Sequence, residues 1–214
     1  EVANEIIFNP VDLQKFRPAV PPLPTEPLQL LTLGTHGYAQ RVLSAIECAR
    51  VLTDRGIDCL LTIAGRLGWS GGVAETRRAI AKLALDQKVT LVPSFTQKEA
   101  PELYRAHHIL LHPKYLDPCP TVVIEALASG LPVVASGSGG LPELVPAPCG
   151  VLVPAPLSWE RLITPTGEQL AAAVEALLPR LPQVARAARL HAEATYDGVK
   201  WVERHAAIFR RVLG

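Results

Sequence analysis

The sequence has no methionine, few aromatic residues (5%) and almost no net charge (+1) among its 214 residues. The near-neutral charge gives no indication of a nucleic-acid partner, and no apolar run is long enough to span a membrane. No N-terminal signal peptide is visible. Because the chain lacks an initiator methionine, we expect its numbering to begin inside a longer protein or after processing.

The four cysteines show neither a C-x-x-C pair nor the spacing of a metal site. Free thiols in a reducing compartment are therefore expected, which predicts a cytoplasmic protein. No Asp-x-Asp pair is present, and His36, His107, His108 and His112 do not have the spacing of metal ligands. The sequence thus predicts no bound metal and no resident cofactor.

Apolar runs alternate with stretches of helical periodicity along most of the chain. The runs predict strands at Leu28–Leu33, Leu60–Ala64, Val89–Val92, Ile109–Leu111, Val133–Ala135 and Val151–Val153. The periodic stretches predict helices at Gln40–Arg55, Val73–Leu85, Ala100–His107, Gly167–Leu178, Gln183–Thr195 and Val199–Leu213, and one beginning at Thr121. This alternation predicts an α/β fold with a Rossmann-like, doubly wound parallel sheet of about six strands in the order 3-2-1-4-5-6.

The distribution of prolines and helical patterns divides the chain into three parts. Residues 1–27 are dense in proline and are expected to form an extended arm. Residues 28–195 contain all the predicted strands and form the Rossmann-like domain. Residues 196–214 contain the last amphipathic helix, which is expected to expose an apolar stripe.

The helix that begins at Thr121 is predicted to carry an anion site at its N-terminus. Pro120 has no N–H and presets the backbone just outside the helix. The first amides, of Thr121, Val122 and Val123, then lack intrahelical partners and lie at the positive end of the helix dipole. This arrangement suits a phosphate group.

Two carboxylates and a Gly-rich loop flank this helix start. Asp117 lies in the preceding loop, and Glu125 lies one turn into the helix with its side chain leaning back toward the N-terminus. Gly139 and Gly140 follow the next predicted strand, where glycine lets the backbone approach a ligand closely. The arrangement suits a ligand with phosphates in its middle and hydroxyl groups at each end.

This region resembles the signature of the family-four retaining glycosyltransferases, which have the GT-B architecture. Glu125 follows Asp117 after seven intervening residues and begins the run E-A-L-A-S-G-L-P-V-V-A-S, and Gly139-Gly140 comes after it. The blocks G-G-L-P-E-L-V and I-I-F-N-P-V-D also resemble family passages. The resemblance implies that the chain is the C-terminal, donor-binding domain of such an enzyme and that residues 1–27 are an interdomain arm.

The resemblance also implies roles for individual residues. Glu125 would bind the ribose hydroxyls of the donor nucleotide, and Asp117, where the family usually has Glu, would contact hydroxyls of the donor sugar. Asp117 and Glu125 form the expected catalytic pair. The expected donor-binding set is Gly34, Thr35, Gln40, Arg41, Thr121, Val122, Glu125, Gly139 and Gly140.

The loop after the first strand departs from the family pattern. The family has an Arg directly after the position of Gly34 and a Lys five residues further, and both grip the diphosphate. A gapless alignment places Thr35 and Gln40 there, with Arg41 one residue off as an alternative cation. Two positive charges aimed at the phosphates are therefore reduced to one or none.

Three functions remain open at this point. The first is an enzyme part: the metal-independent donor domain of a hexosyltransferase that uses a nucleoside-diphosphate sugar. Its acceptor-binding N-terminal domain would be absent from this chain, which alone would bind nucleotide without transferring sugar, and peripheral membrane association would occur through that domain. The second is a degenerate binding module without catalysis, which Thr35 and Gln40 favour. The third, a dinucleotide oxidoreductase, is opposed by the incomplete G-x-G-x-x-G motif after the first strand.

Overall fold

A six-stranded parallel sheet forms the centre of the computed structural model, which describes residues 6–20 and 22–213. The expectations for residues 1–5, 21 and 214 lie outside the described residues. The strands are β1 Leu28–Leu33, β2 Cys59–Ala64, β3 Val89–Val92, β4 Ile109–His112, β5 Val133–Gly137 and β6 Gly150–Pro154. They pair in the order β3-β2-β1-β4-β5-β6, so the predicted fold class and strand order are confirmed.

Helices connect and cover the strands. In the described part of the chain they are α1 Ala39–Asp54, α2 Gly72–Lys82, α3 Ala100–Arg105, α4 Thr121–Ala128, α5 Leu141–Leu144, α6 Gly167–Leu177, α7 Leu181–Thr195 and α8 Gly198–Leu213. Every predicted helix is present, whereas the short α5 was not expected. The largest boundary error is at α2, predicted to continue to Leu85. It ends at Lys82 because Ala84 adopts a left-handed φ of 54°.

The core consists of two apolar layers, one on each face of the sheet. Helices α1, α2 and α6 pack on one face, and α3, α4 and α7 pack on the other. Successive strand residues alternate between the layers, so Leu30 joins the first and Leu31 the second. Both faces are covered, which explains why the strands are predominantly apolar.

Helix α4 contains β-branched residues that are poor helix formers. Val123 and Ile124 are 0% and 1% exposed and pack in the second layer. Burying each side chain contributes about 1.5–3 kcal/mol, whereas the loss in helix propensity is about 0.7 kcal/mol or less per residue. Tertiary packing therefore outweighs local preference, and the helix begins at Thr121 as predicted.

The N-terminal arm packs against α7 and the residue that follows it, and α8 comes after them in the sequence. The Val11 amide donates to the Tyr196 carbonyl at 2.8 Å, and the Arg189 guanidinium donates to the carbonyl oxygens of Phe16 and Ala128. Helix α8 has no buried residue, and its exposed apolar side chains are Val199, Val202, Phe209, Val212 and Leu213. The expected apolar stripe is thus confirmed. None of the helices in the described residues combines the length and hydropathy needed to cross a bilayer.

Candidate functional site

The site lies where the strand order reverses, between β1 and β4. These strands are neighbours in the sheet but are far apart in sequence, so the loops that follow them diverge and leave a crevice at their carboxyl ends. A Cβ placed on Gly34, after β1, would lie 3.5 Å from a methyl carbon of Val122 in the first turn of α4. The turn at Gly34 and the start of α4 therefore form the two walls of one crevice.

Helix α4 begins with unpartnered amides that face this crevice region. Pro120 has the extended conformation expected of an N-cap residue (φ −70°, ψ 114°) and no side chain caps the helix. The amides of Thr121 and Val122 have no hydrogen-bond partner among the described residues. The expectation for Val123 was wrong, because its amide donates to the Pro120 carbonyl at 3.0 Å. Two free amides, rather than three, lie at the positive end of the dipole.

The Gly-rich loop after β5 packs directly against the loop that leads into α4. Gly139 has a φ of 63°, and a Cβ placed on it would collide with the backbone of Asp117. A Cβ on Gly140 would collide with the carbonyl oxygen of Pro118, and the Gly140 amide donates to the Asp117 carbonyl at 2.9 Å. Only glycine permits this backbone-to-backbone contact. The predicted proximity of this loop to the helix start is confirmed.

Glu125 is half-buried, and Tyr104 anchors its carboxylate. The Tyr104 hydroxyl donates to Glu125 Oε2 at 2.7 Å, and Oε1 has no hydrogen-bond partner among the described residues. Burial raises the pKa of Glu125, and the hydrogen bond from Tyr104 and the charge of Lys15 oppose that increase. The arrangement leaves one carboxylate oxygen available for a ligand hydroxyl.

Asp117 faces its own neighbours instead of the solvent. Its Oδ2 lies 3.0 Å from His112 Nε2 and 3.1 Å from Lys114 Nζ, and the residue is 7% exposed. Burial opposes ionisation, but His112 and Lys114 outweigh it and lower the pKa of Asp117. Burial also lowers the pKa of His112 to about 4, so this ring is neutral at pH 7. Contact between Asp117 and a donor sugar stays a prediction.

The three residues considered for phosphate binding differ in where their side chains lie. Thr35 and Gln40 are exposed at the turn and at the start of α1. Arg41 is 2% exposed, and its guanidinium donates to the carbonyl oxygens of Thr35 (3.0 Å) and Leu33 (2.9 Å). Direct contact between Arg41 and a ligand would require these bonds to break. The guanidinium instead packs against the buried side of the turn, where its Nη2 lies 3.7 Å from the position of a Cβ on Gly34.

Sequence reasoning missed three residues of this site. Tyr104 lies in the predicted helix Ala100–His107, but no role was assigned to it. His112 follows the fourth apolar run directly, at the carboxyl end of a strand, which is the position where ligand-binding residues concentrate. Lys114 carried no signal beyond its proximity to Asp117 in the sequence.

Comparisons with known proteins identify the family of this chain. Residues 14–165 match the family described as glycosyl transferases group 1. The chain belongs to this family. A 144-residue segment is 36% identical to the D-inositol 3-phosphate glycosyltransferase of Segniliparus rotundus, covering 65% of this chain and 31% of that protein. A 126-residue segment is 31% identical to the amylovoran biosynthesis glycosyltransferase AmsK of Erwinia amylovora, covering 56% and 30%.

Solved structures of glycosyltransferases share the fold. The Anabaena protein Alr3699/HepE in complex with UDP superposes with a TM-score of 0.78 at 17% identity, covering 97% of this chain and 57% of that one. The sucrose-phosphate synthase of Thermosynechococcus elongatus gives 0.73 at 23% identity, covering 96% and 51%. Matched segments span about 30% of the length of the curated relatives and about half of these structures. This member of the glycosyl transferases group 1 family therefore has the fold of one GT-B domain.

Proposed function

We propose that this chain is the donor-binding domain of a retaining glycosyltransferase that takes a hexose from a nucleoside-diphosphate sugar. The observation that carries the proposal is the start of α4. The helix begins with the free Thr121 and Val122 amides and has the anchored Glu125 carboxylate one turn further on. The segment that leads into it packs against the Gly139-Gly140 loop. Amides at a helix N-terminus suit a diphosphate, and the carboxylate and loop beside them suit the hydroxyl groups of a ribose and a sugar.

Each part of the site has a chemical task in this proposal. The Thr121 and Val122 amides and the helix dipole bind the diphosphate and stabilise the negative charge that develops on it as the glycosidic bond breaks. Glu125 accepts hydrogen bonds from the ribose hydroxyls. The backbone of Gly139 and Gly140, with the nearby Asp117, contacts the donor sugar.

The nature of the donor is suggested by the structural neighbours. Structures of Alr3699/HepE contain UDP and UDP-glucose, and their fold matches this chain with TM-scores of 0.78 and 0.73. We therefore propose a uridine-diphosphate hexose as the donor. The acceptor, and any catalytic group that acts on it, would be supplied by an N-terminal domain that packs on the apolar stripe of α8. Sugar transfer would then need both domains, since the reactants must be held in one geometry.

The proposal is tested by titrating the isolated chain with UDP in a calorimeter. We expect wild-type protein to bind UDP and Glu125→Gln to bind it at least about tenfold more weakly, since a charged hydrogen bond to ribose is lost. Glu75→Gln is the matched control, because Glu75 is another half-buried carboxylate near the start of a helix and accepts from an aromatic donor, Trp69, at 2.7 Å. It lies on the opposite face of the sheet, and its variant should bind UDP like wild type.

The competing function is a degenerate module that retains the fold without donor affinity. The exposed Thr35 and Gln40, which put neutral side chains where the family resemblance implies cations, favour it. Absence of UDP and UDP-glucose binding by a folded wild-type chain would support this alternative and contradict the proposed function. Rapid sugar transfer by the isolated chain would contradict the need for a second domain.

A further inference from the structure

Tyr104 occupies an unusual position beside the site. The residue belongs to α3 and is 0% exposed, yet its hydroxyl reaches α4, where it lies 2.7 Å from Glu125 Oε2 and 3.2 Å from the Val122 carbonyl oxygen. Both acceptors belong to the first two turns of the helix that would bind the donor. A buried hydroxyl thus connects the core to the Glu125 carboxylate, whose Oε1 is available for a ligand.

The ring of Tyr104 cannot easily turn away from this contact. Phe16 of the N-terminal arm packs edge-on against it, with ring centroids 5.7 Å apart and an interplanar angle of 71°. Burial, together with the neighbouring Glu125 charge, raises the pKa of Tyr104 well above its usual range, so the hydroxyl remains a donor at all working pH values. The anchor is therefore both rigid and permanently protonated.

We propose that Tyr104 is a positioning residue that sets the preference of this site for ribose over sugars lacking the 2′- and 3′-hydroxyls. It fixes Oε2 of Glu125, which holds the carboxylate in one orientation and presents Oε1 to the ligand. The inference rests on the proposed function. A carboxylate without this anchor would rotate among its staggered conformers and would lose orientation, although its charge would remain.

Tyr104→Phe is the variant that tests this role, because it removes the hydroxyl and keeps the ring that packs on Phe16. Calorimetry is done with UDP and with 2′,3′-dideoxyuridine diphosphate. We expect wild type to bind UDP at least about tenfold more tightly than the dideoxy compound. In Tyr104→Phe, UDP binding should fall by about tenfold while binding of the dideoxy compound is unchanged, so the preference disappears.

The pH dependence provides a second readout. The groups that face Glu125 are the Tyr104 hydroxyl from α3 and the Lys15 ammonium from the arm. Removal of the Tyr104 hydroxyl takes away a bond that favours the carboxylate anion, so Glu125 should protonate at higher pH. The pH below which UDP binding declines should therefore increase in Tyr104→Phe. A residue that served only to pack the core would not move this value.

Tyr196→Phe is the matched control, since Tyr196 is 1% exposed and its hydroxyl donates to the Leu144 carbonyl at 2.8 Å, away from Glu125. It should leave the ribose preference and the pH profile unchanged. If wild type binds UDP and Tyr104→Phe keeps the full ribose preference, the positioning role is wrong while the proposed function stands. If folded wild type binds no UDP, the proposed function and the role that depends on it are both wrong.

Discussion

The exposed turn after β1 lends itself to a test of where the phosphates bind. Thr35 and Gln40 occupy the positions at which the family resemblance implies an Arg and a Lys, and both side chains are exposed. The double substitution Thr35→Arg with Gln40→Lys restores both cations. It should not disturb the fold, because the contact of Thr35 with Arg41 is made by the Thr35 backbone carbonyl, which is kept.

The expected gain in affinity is large. Hydrogen bonds to charged groups contribute about 1.5–3 kcal/mol each. The side chains start from solvent, so we take the lower value, and two contacts then give about 3 kcal/mol, or about a hundredfold in affinity for a diphosphate. Arg41 cannot already contribute this binding energy by direct contact with a phosphate, since its guanidinium donates to the Leu33 and Thr35 carbonyl oxygens.

Calorimetric titration with UDP and with uridine separates the charge effect from the rest of binding. UDP affinity should rise about a hundredfold in the double variant, while uridine affinity changes little because uridine carries no phosphate. The gain should shrink as salt is added, since the new contacts are exposed. The double variant Thr35→Gln with Gln40→Ala provides an uncharged control. An unchanged UDP affinity would show that the phosphates do not bind beside this turn.

Two further predictions concern the fold around the site. Gly140→Ala should destabilise the protein by about 1–3 kcal/mol in urea unfolding, because its Cβ collides with the Pro118 carbonyl oxygen, and unchanged stability would contradict the tight loop contact. Burial lowers the pKa of His36 to about 3, so its unfolded form binds a proton first and stability falls as pH decreases from about 6.5. Between about pH 5.5 and about pH 4, His36→Gln should reduce that fall by about 1.4 kcal/mol per pH unit, measured as the free energy of unfolding in urea; equal slopes would contradict it.

The strands and the start of α4 could be predicted because their determinants are local. Predominantly apolar runs such as Leu28–Leu33 fit a sheet covered on both faces, and Pro120 fixes the backbone that precedes a helix. The strand order was predicted from the Rossmann-like class as a whole, since alternation of strands and helices fits more than one order. Element ends were less certain, as at α2, where a left-handed Ala84 gives no sequence signal.

Side-chain directions in the site could not be predicted, because their partners are distant in the sequence. Arg41 lies 3.4 Å from His112, 71 positions away, and Tyr104 anchors Glu125 across 21 positions. The sequence offers Arg41 as a candidate ligand contact only because it lies one residue from the position at which the family resemblance implies a Lys. Only the folded chain shows carbonyl oxygens within reach of the guanidinium, and a buried Arg takes such partners because an unpaired buried charge is costly.

The charge balance of the site bears on the choice between a transferase domain and a degenerate module. Asp117 would repel a diphosphate if it stood alone, but Lys114 lies 3.1 Å from its carboxylate and offsets that charge. Arg41 adds a positive charge enclosed by protein beneath Gly34, where screening by water is weaker than at the surface. Lys15 partly offsets the charge of Glu125, whose carboxylate is held by Tyr104 and in the proposed function accepts hydrogen bonds from a neutral ribose. The absence of cations at Thr35 and Gln40 therefore weakens the phosphate site without making it repulsive, which favours a donor site of low affinity over none.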